Sequence, residues 1–319
     1  MNRLFIIVPC FNEEEVLPLS VSKLTEVVKS LISKGKISRD SGILLVNDGS
    51  YDRTWKIIEA ENSKNEYVLG LNLSSNVGHQ NALIAGLETV KDMCDMSVTI
   101  DADLQDDVFV IEKMVDSFIK GADVVFGVRS RRKSDSLFKR TTAHAFYKFM
   151  NRLGVKTVYN HADYRLLSKR AMKAVLEYKE RNIFLRGIVS NIGFKTDTVY
   201  YERGKRAAGK SKYPFRKMAS FALDGITSFS IKPINMIAIL GAVIIVFSIA
   251  ALIYALCSYI FGRTSPGWTS LIISIWFLGG VQLFAIGIVG QYIGKAYLES
   301  KQRPRYHIEK FLGQKNKDE

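Results

Sequence analysis

Asp101 and Asp103 stand one residue apart, directly after the apolar run Met96-Ser97-Val98-Thr99-Ile100. Carboxylates at positions i and i+2 of an extended segment point the same way. Mg²⁺ and Mn²⁺ take one or two such oxygens and share their remaining positions with substrate phosphates. The spacing therefore predicts a metal-assisted site for a phosphorylated substrate. The alternative is a chance Asp-x-Asp in a surface turn.

Apolar runs and helical patterns alternate along the first part of the chain. The short runs, rich in branched residues as strands buried on both faces should be, are residues 4–8, 43–46, 67–71, 98–100 and 124–126. The helical patterns between them are residues 21–32, 54–60, 80–90 and 108–119. This alternation predicts parallel βαβ units and an α/β fold, in which ligands bind beyond the carboxyl ends of the strands.

Polar clusters follow the first four predicted strands. They are residues 12–15, 47–50, 76–81 and 101–103. Taken singly, a cluster such as Asn47-Asp48-Gly49-Ser50 is explained as a turn followed by a helix cap. Because all four clusters arrive at one rim of the predicted sheet, we interpret them as parts of one site.

The composition limits the classes of partner. The 319 residues are 47% hydrophobic and carry a formal net charge of +14, which predicts an anionic partner. Nucleic acid is not expected, because most basic residues flank apolar segments rather than lying among exposed aromatic residues. Cys10, Cys94 and Cys257 are an odd number without Cys-x-x-Cys spacing, so reduced thiols are expected rather than a disulfide framework or a zinc site.

Two apolar segments near the C-terminus are long enough to cross a bilayer. They span about residues 234–261 and 268–293 and are separated by a short hinge, which predicts a transmembrane hairpin. Two core helices of a soluble protein are the alternative. Basic residues stand on both flanks: Lys205, Arg206, Lys210, Lys212, Arg216, Lys217 and Lys232 before, and Lys295, Lys301, Arg303, Arg305 and Lys310 after. The positive-inside rule then places both termini and the N-terminal domain on the cytoplasmic face of the inner (plasma) membrane.

The expected domain organisation has four parts. Residues 1–212 form the catalytic domain, 213–230 an amphipathic region, 231–297 the hairpin and 298–319 a basic cytoplasmic tail. The amphipathic region is interpreted either as a helix lying in the membrane interface or as a helix packed on the soluble domain. Glycines in the second span permit close helix packing, and the sequence leaves open whether the chain forms a homo-oligomer.

Motifs spread over the soluble part resemble one known family. They are Val8-Pro9-Cys10-Phe11-Asn12-Glu13-Glu14, Val46-Asn47-Asp48-Gly49-Ser50, Asn76-Val77-Gly78-His79-Gln80, Asp101-Ala102-Asp103-Leu104-Gln105-Asp106, Gly127-Val128-Arg129-Ser130-Arg131, Asp163-Tyr164-Arg165-Leu166-Leu167 and Ala208-Gly209-Lys210-Ser211-Lys212-Tyr213-Pro214. Together they resemble the inverting GT-A glycosyltransferases of family 2, in the branch that includes the bactoprenol glucosyltransferases and dolichol-phosphate mannose synthase. The resemblance implies a GT-A fold, Rossmann-like with a mainly parallel sheet.

The resemblance also implies roles for individual residues. The nucleotide of the donor would contact Pro9, Phe11, Glu13, Val46, Asp48, Asp101 and Ala102. Mg²⁺ or Mn²⁺ would be held by Asp101, Asp103 and Gln105, and phosphates would be contacted by Arg129, Arg131, Arg206 and Lys212. Catalytic roles fall to Asp103 and to Asp163, which either takes a residual proton or orients the sugar and Arg165. A purely structural ion pair of Asp163 with Arg165 or a nearby lysine is the alternative.

The activity implied is an inverting, metal-dependent transfer of a hexosyl group, glucose favoured, from a UDP-sugar to polyprenyl (undecaprenyl) phosphate at the cytoplasmic membrane face. The product, a polyprenyl-phosphate-sugar, would serve cell-envelope glycan modification. Two alternatives stay open. One is a GDP-mannose-dependent polyprenyl-phosphate mannosyltransferase, and the other is a catalytically silent, membrane-anchored scaffold that binds nucleotide sugars.

Overall fold

The computed structural model describes residues 1–129, 161–180, 185–202, 232–260 and 267–314. Three of the predicted phosphate contacts, Arg131, Arg206 and Lys212, lie outside the described residues. So does the predicted amphipathic region, residues 213–230.

Four parallel strands form the centre of the sheet. They are β1 (Leu4–Cys10), β2 (Gly42–Asn47), β3 (Val68–Leu73) and β4 (Met96–Thr99), in the order β3-β2-β1-β4. The helices that follow them are α1 (Leu17–Ser33), α2 (Thr54–Lys64), α3 (His79–Val90) and α4 (Val110–Ile119). The alternation predicted from the apolar runs is confirmed, and the carboxyl ends of these strands meet at one rim.

The remaining strands extend the sheet on both sides. β5 (Val124–Arg129), β6 (His161–Ser168) and β7 (Thr196–Tyr201) continue beyond β4, and β8 (Ile308–Leu312) pairs with β3. The full order is β7-β5-β6-β4-β1-β2-β3-β8, with β6 antiparallel to both neighbours and β8 antiparallel to β3. Two further helices, α5 (Lys169–Glu177) and α6 (Leu185–Asn191), follow β6. The fold is a mixed α/β sheet with a parallel centre, consistent with the GT-A prediction.

Apolar side chains cover both faces of the sheet. One core packs β1, β2 and β4 against α1 and α4, and includes Leu24, Val98 and Ile111. The other packs the opposite face against α3, α5 and α6, and includes Ile7 and Ile84. A sheet buried on both faces leaves its rim as the place where polar side chains can reach a ligand.

Two long apolar helices form a compact unit separate from the sheet. They are α7 (Lys232–Ile260) and α8 (Trp268–Ser300). Within the described residues one stretch, Phe277–Ser300, is long and apolar enough to cross a membrane, and none of it is buried. It overlaps the second predicted span, so one candidate membrane helix is present. The first predicted span, within α7, stays a prediction, and so does the hairpin.

Candidate active site

The loop after β4 holds the paired aspartates in a defined turn. The hydroxyl of Ser20 on α1 donates to the carbonyl of Ala102 at 2.6 Å. Asp103 Oδ1 accepts from the backbone N–H of Gln105 at 3.1 Å, and Leu104 adopts a left-handed conformation with φ of 54°. An aspartate side chain that accepts a hydrogen bond from the backbone N–H two residues further along the chain stabilises such a turn. The loop is therefore fixed by contacts of its own and by α1.

Asp101 lies among other carboxylates of the site. Burial and the nearby carboxylates of Asp163, Asp106 and Asp103 raise the pKa of Asp101, and His79 only partly offsets them. The Nε2 atom of His79 lies 3.6 Å from Asp101 Oδ1. Burial opposes protonation of His79, but Asp163 and Asp101 outweigh it and raise the pKa of the imidazole. Negative charge thus accumulates at the end of β4, where a cation would relieve it.

Asp163, on β6, is held by two arginines. The guanidinium of Arg165 bonds to its Oδ1, and Arg186 on α6 donates to both oxygens at 3.3 and 3.1 Å. His79 Nε2 lies 3.6 Å from Oδ2. Burial opposes ionisation, but His79 and the two guanidinium charges hold the pKa of Asp163 well below its usual range. Asp163 is therefore ionised at neutral pH.

The two arginines differ in their surroundings. The side chain of Arg165 is 2% exposed, and among the described residues its Nε and Nη1 atoms have no hydrogen-bond partner. The side chain of Arg186 is 43% exposed and lies at the rim. Arg165 is thus a buried charge that depends on Asp163, whereas Arg186 presents a guanidinium to a ligand approaching the rim.

Asp48, predicted to lie beside the nucleobase, organises the loop after β3. Its carboxylate accepts from the backbone of Val77 at 2.7 Å and of Gly78 at 3.1 Å, and from the Asn76 amide at 3.2 Å. Burial raises the pKa of Asp48, partly offset by these backbone bonds. In this arrangement Asp48 fixes the backbone that leads into His79, and its contact with a nucleobase stays a prediction.

Gly49 lies where this loop and the β2 loop approach most closely. It has φ of 60°, and a Cβ there would stand 2.4 Å from the backbone nitrogen of Asn76. Gly78 has φ of 87°, but a Cβ there would meet nothing within 4 Å. The two glycines share a positive φ, which becomes strained only when a Cβ is added, and they differ in the steric contact that this Cβ would make.

We expect Gly49→Ala to lower the free energy of unfolding by about 3 kcal/mol, and Gly78→Ala by about 1 kcal/mol. Both variants carry the strain of a positive φ, but only the first forces two backbones apart. Thermal unfolding of the full-length protein measures the difference. The unfolding midpoint of Gly49→Ala should be at least about 4 °C lower than that of Gly78→Ala. Equal midpoints would show that the contact between the loops relaxes without cost.

The loop after β1 is joined to the loop after β2 by hydrogen bonds. The Asn12 backbone donates to the Ser50 hydroxyl at 3.0 Å, and the Glu13 backbone donates to the Thr54 hydroxyl at 3.0 Å. The rings of Phe11 and Tyr51 meet edge to face, with centroids 6.1 Å apart. Tyr51 is 86% exposed beside a predicted nucleotide contact, and no motif had singled it out.

Arg129, predicted to contact phosphate, pairs with Asp106. Its Nη2 atom lies 3.1 Å from Asp106 Oδ1, and Tyr201 donates to the same oxygen at 2.7 Å. Asp106 is buried, so this ion pair lies on the inner side of the loop after β4. The guanidinium of Arg129 is therefore already partly neutralised, and its contact with a phosphate stays a prediction.

The structure brings the polar predicted residues of the described chain to one rim. Asp101, Asp103 and Asp163 lie at the ends of β4 and β6, and Phe11 and Glu13 lie in the neighbouring β1 loop. The side chains of Pro9 and Val46 are buried within the sheet, where these residues pair in register. Arg186 and Tyr51 join the rim without having been predicted.

Comparisons with known proteins show which proteins this chain is similar to. The sequence profile of the family described as "Glycosyl transferase family 2" matches residues 5–176. An uncharacterized glycosyltransferase of Bacillus subtilis is 53% identical over 306 residues, which cover 96% of this chain and 91% of that protein. The bactoprenol glucosyl transferase of Shigella phage SfX is 39% identical over 310 residues, covering 96% and 98%. A crystal structure of glucosyl-3-phosphoglycerate synthase from Mycobacterium tuberculosis, in complex with Mn²⁺, UDP-glucose and phosphoglyceric acid, aligns with a TM-score of 0.47 and 14% identity, over 71% of this chain and 78% of that one.

Proposed function

Because the chain belongs to glycosyl transferase family 2 and is a glycosyltransferase, we propose that it transfers a hexosyl group, glucose favoured, from a UDP-sugar to polyprenyl phosphate. The observation that carries the proposal is the pairing of opposite charges at one rim. The Asp101 carboxylate interacts with those of Asp103 and Asp163, and Asp163 pairs with the exposed Arg186. Near full-length similarity to a bactoprenol glucosyl transferase supports the lipid acceptor.

The acidic side of the rim suits a hard divalent cation. Within the described part of the chain, no group of three or more His, Cys, Asp or Glu side chains is placed so that it could hold a metal ion by itself. Two carboxylates with an amide form an open site, which fits Mg²⁺ or Mn²⁺ because these ions share their positions with substrate phosphates. Asp101, Asp103 and Gln105 would hold the ion. When bound, it would neutralise charge on the departing diphosphate.

Asp163 acts in this proposal as an orienting group rather than a base. A phosphate monoester carries roughly −1.5 to −2 charges at neutral pH and is already a nucleophile. One of its oxygens forms a bond to the anomeric carbon while the carbon–oxygen bond to UDP breaks, and the electron pair leaves on the diphosphate. Direct displacement inverts the anomeric carbon. Asp163, whose pKa is held well below its usual range by His79 and two arginines against the effect of burial, keeps Arg186 at the rim.

The basic residues have two tasks in the proposal. Arg129, Arg131, Arg206 and Lys212 would contact the donor and acceptor phosphates, which offsets the repulsion between two anions meeting at one carbon. The surplus of basic residues would also attract an anionic membrane surface.

The apolar helices would hold the protein at the membrane, where the phosphate of a lipid acceptor lies. Large apolar side chains on the described faces of α7 and α8, among them Phe247, Tyr254, Leu283 and Phe284, are exposed to more than 70%. Such exposure suits contact with lipid, because a soluble protein rarely leaves large apolar patches uncovered. We propose that α7 and α8 form a transmembrane hairpin, with residues 213–230 in the interface and with both termini cytoplasmic by the positive-inside rule.

A screen of donors tests the proposed function. Full-length protein in detergent with Mn²⁺ and undecaprenyl phosphate should release UDP from a UDP-hexose and label the lipid, with UDP-glucose the best donor. A matched reaction without lipid phosphate should release little UDP. Labelling from GDP-mannose alone would favour the mannosyltransferase alternative. Binding of nucleotide sugars without transfer to the lipid phosphate would favour the silent scaffold.

A further inference from the structure

The segment that follows α8 in the sequence joins the catalytic sheet. We call residues 305–313 the C-terminal strap. Its strand, β8, extends the sheet beyond β3. Three contacts hold its first residues: Arg305 Nη2 to the carbonyl of Tyr178 at 2.6 Å, the Tyr306 hydroxyl to Glu88, and the Ser74 backbone N–H to the carbonyl of His307 at 3.0 Å. The strap is therefore part of the sheet rather than a free tail.

A β-bulge in the strap lies at Glu309. On β8, Ile308 pairs with Leu73 and Lys310 pairs with Asn72, so Glu309 is an extra residue without a partner in the register. A bulge re-aims a side chain. Here Oε2 of Glu309 accepts a hydrogen bond from the side-chain amide of Asn72 at 2.7 Å.

A chain of hydrogen bonds runs from Glu309 to the rim. The Oδ1 atom of Asn72 accepts from the amide of Asn47 at 2.6 Å, and the Oδ1 atom of Asn47 accepts from the backbone N–H of Ser50 at 3.4 Å. The hydroxyl of Ser50 in turn accepts from the backbone of Asn12 at 3.0 Å. Both asparagines are buried. The chain ends in the two loops that carry Phe11 and Asp48.

The carboxylate determines the direction of this chain. An ionised carboxylate only accepts hydrogen bonds, whereas an amide both donates and accepts. Glu309 therefore turns the NH₂ of Asn72 toward β8 and its oxygen toward Asn47. Asn47 then donates to Asn72, which leaves its own oxygen for Ser50. Without an obligate acceptor at the bulge, either amide could reverse.

We infer that Glu309 is a positioning residue for donor binding, which acts through Asn72 and Asn47 on the loops after β1 and β2. The inference rests on the proposed function, in which these loops hold the nucleotide. It makes the donor site incomplete without the strap that follows the apolar helices. A neighbouring strap residue, Lys310, serves as control because its side chain, among the described residues, forms only an exposed ion pair with Glu59.

The test compares UDP binding by calorimetry, with Mn²⁺, to the full-length protein in detergent. Glu309→Ala is expected to weaken binding about tenfold, since residues that act through others typically couple at that scale. Glu309→Gln keeps an acceptor oxygen but not an obligate acceptor, so its affinity for UDP should lie between those of wild type and Glu309→Ala. Lys310→Ala should match wild type. In turnover, Glu309→Ala should raise the KM for the donor and leave the KM for polyprenyl phosphate unchanged.

Hydrogen exchange without nucleotide gives a second readout. Backbone amides of residues 47–54 should exchange faster in Glu309→Ala than in wild type, while those of β6 should not. If UDP binding and exchange in Glu309→Ala equal those of wild type, the inference is wrong and the proposed function stands. If binding falls only in proportion to a general loss of folded protein, Glu309 is merely structural. If wild-type protein binds neither UDP nor GDP, the proposed function itself fails, and with it the role in donor binding.

Discussion

Asp103→Asn is expected to lower kcat by about a thousandfold, because it removes one of two carboxylates available to a divalent cation at the end of β4. The negative charges of the carboxylates around Asp101 support this expectation. Burial and the carboxylates of Asp163, Asp106 and Asp103 raise the pKa of Asp101, so the site favours a bound cation. Stabilising charge on a leaving diphosphate contributes several kcal/mol, and each 1.36 kcal/mol is about tenfold in rate.

A manganese titration of activity measures this effect. The Asp103→Asn variant should need a much higher Mn²⁺ concentration for half-maximal rate, and EDTA should abolish turnover of wild-type protein. Asp107→Asn is the matched control, because it makes the same chemical change in the same loop. The carboxylate of Asp107 is exposed and, among the described residues, accepts only from the backbone N–H of Phe109, at 3.0 Å, so its variant should follow the wild-type titration. Superimposable curves for Asp103→Asn, or full activity in EDTA, would argue against a metal at this position.

The central strands were predictable because strands that are buried on both faces consist mainly of apolar residues. β1 to β4 lie between two layers of helices, and such strands need apolar residues on both faces. Their apolar runs, and the polar residues that follow them, therefore predicted both the parallel centre and the shared rim. The boundaries were less predictable: β1 runs to Cys10 and α1 begins at Leu17, and both exceed the apolar pattern.

The strands that depend on tertiary contacts were not predicted. β6 carries Asp163 and Arg165, and a charged pair does not indicate a buried strand. The ion pair between these two side chains offsets the cost of burying their charges. β8 contains Glu309 and Lys310 and pairs with a strand more than 200 residues earlier. Local sequence cannot reveal a pairing over that separation.

The same limit applies to individual site residues. The motif around Arg129 indicated a phosphate contact, but its ion pair with Asp106 joins residues that no spacing rule connects. Arg186 lies in a short helix without a motif, and only the fold places it on Asp163. Motifs thus located the rim, while the partners that set the charge of each group required the structure.

Asp163→Asn is expected to lower kcat about a hundredfold, to an equal extent at pH 6 and at pH 8.5. The carboxylate neutralises Arg165 and orients Arg186, and an amide can do neither. Removing one partner of a buried ion pair costs about 3–5 kcal/mol, so stability must be measured beside activity. Asp123→Asn is the control, because Asp123 is also buried and paired with an arginine, Arg170, at the opposite end of the sheet. It should lower stability without a comparable loss of kcat per folded molecule.

The pH profile separates the two roles of Asp163. Burial raises its pKa, but His79, Arg165 and Arg186 outweigh this and hold the pKa well below its usual range, so the carboxylate stays ionised from pH 6 to 8.5. An orienting carboxylate therefore contributes equally across that range. A base would matter most near pH 6, where the acceptor phosphate, with a second pKa of about 6, still carries a proton. A deficit of Asp163→Asn that is deep at pH 6 and shallow at pH 8.5 would thus assign proton transfer to Asp163, and a uniform deficit assigns it the orientation of Arg186.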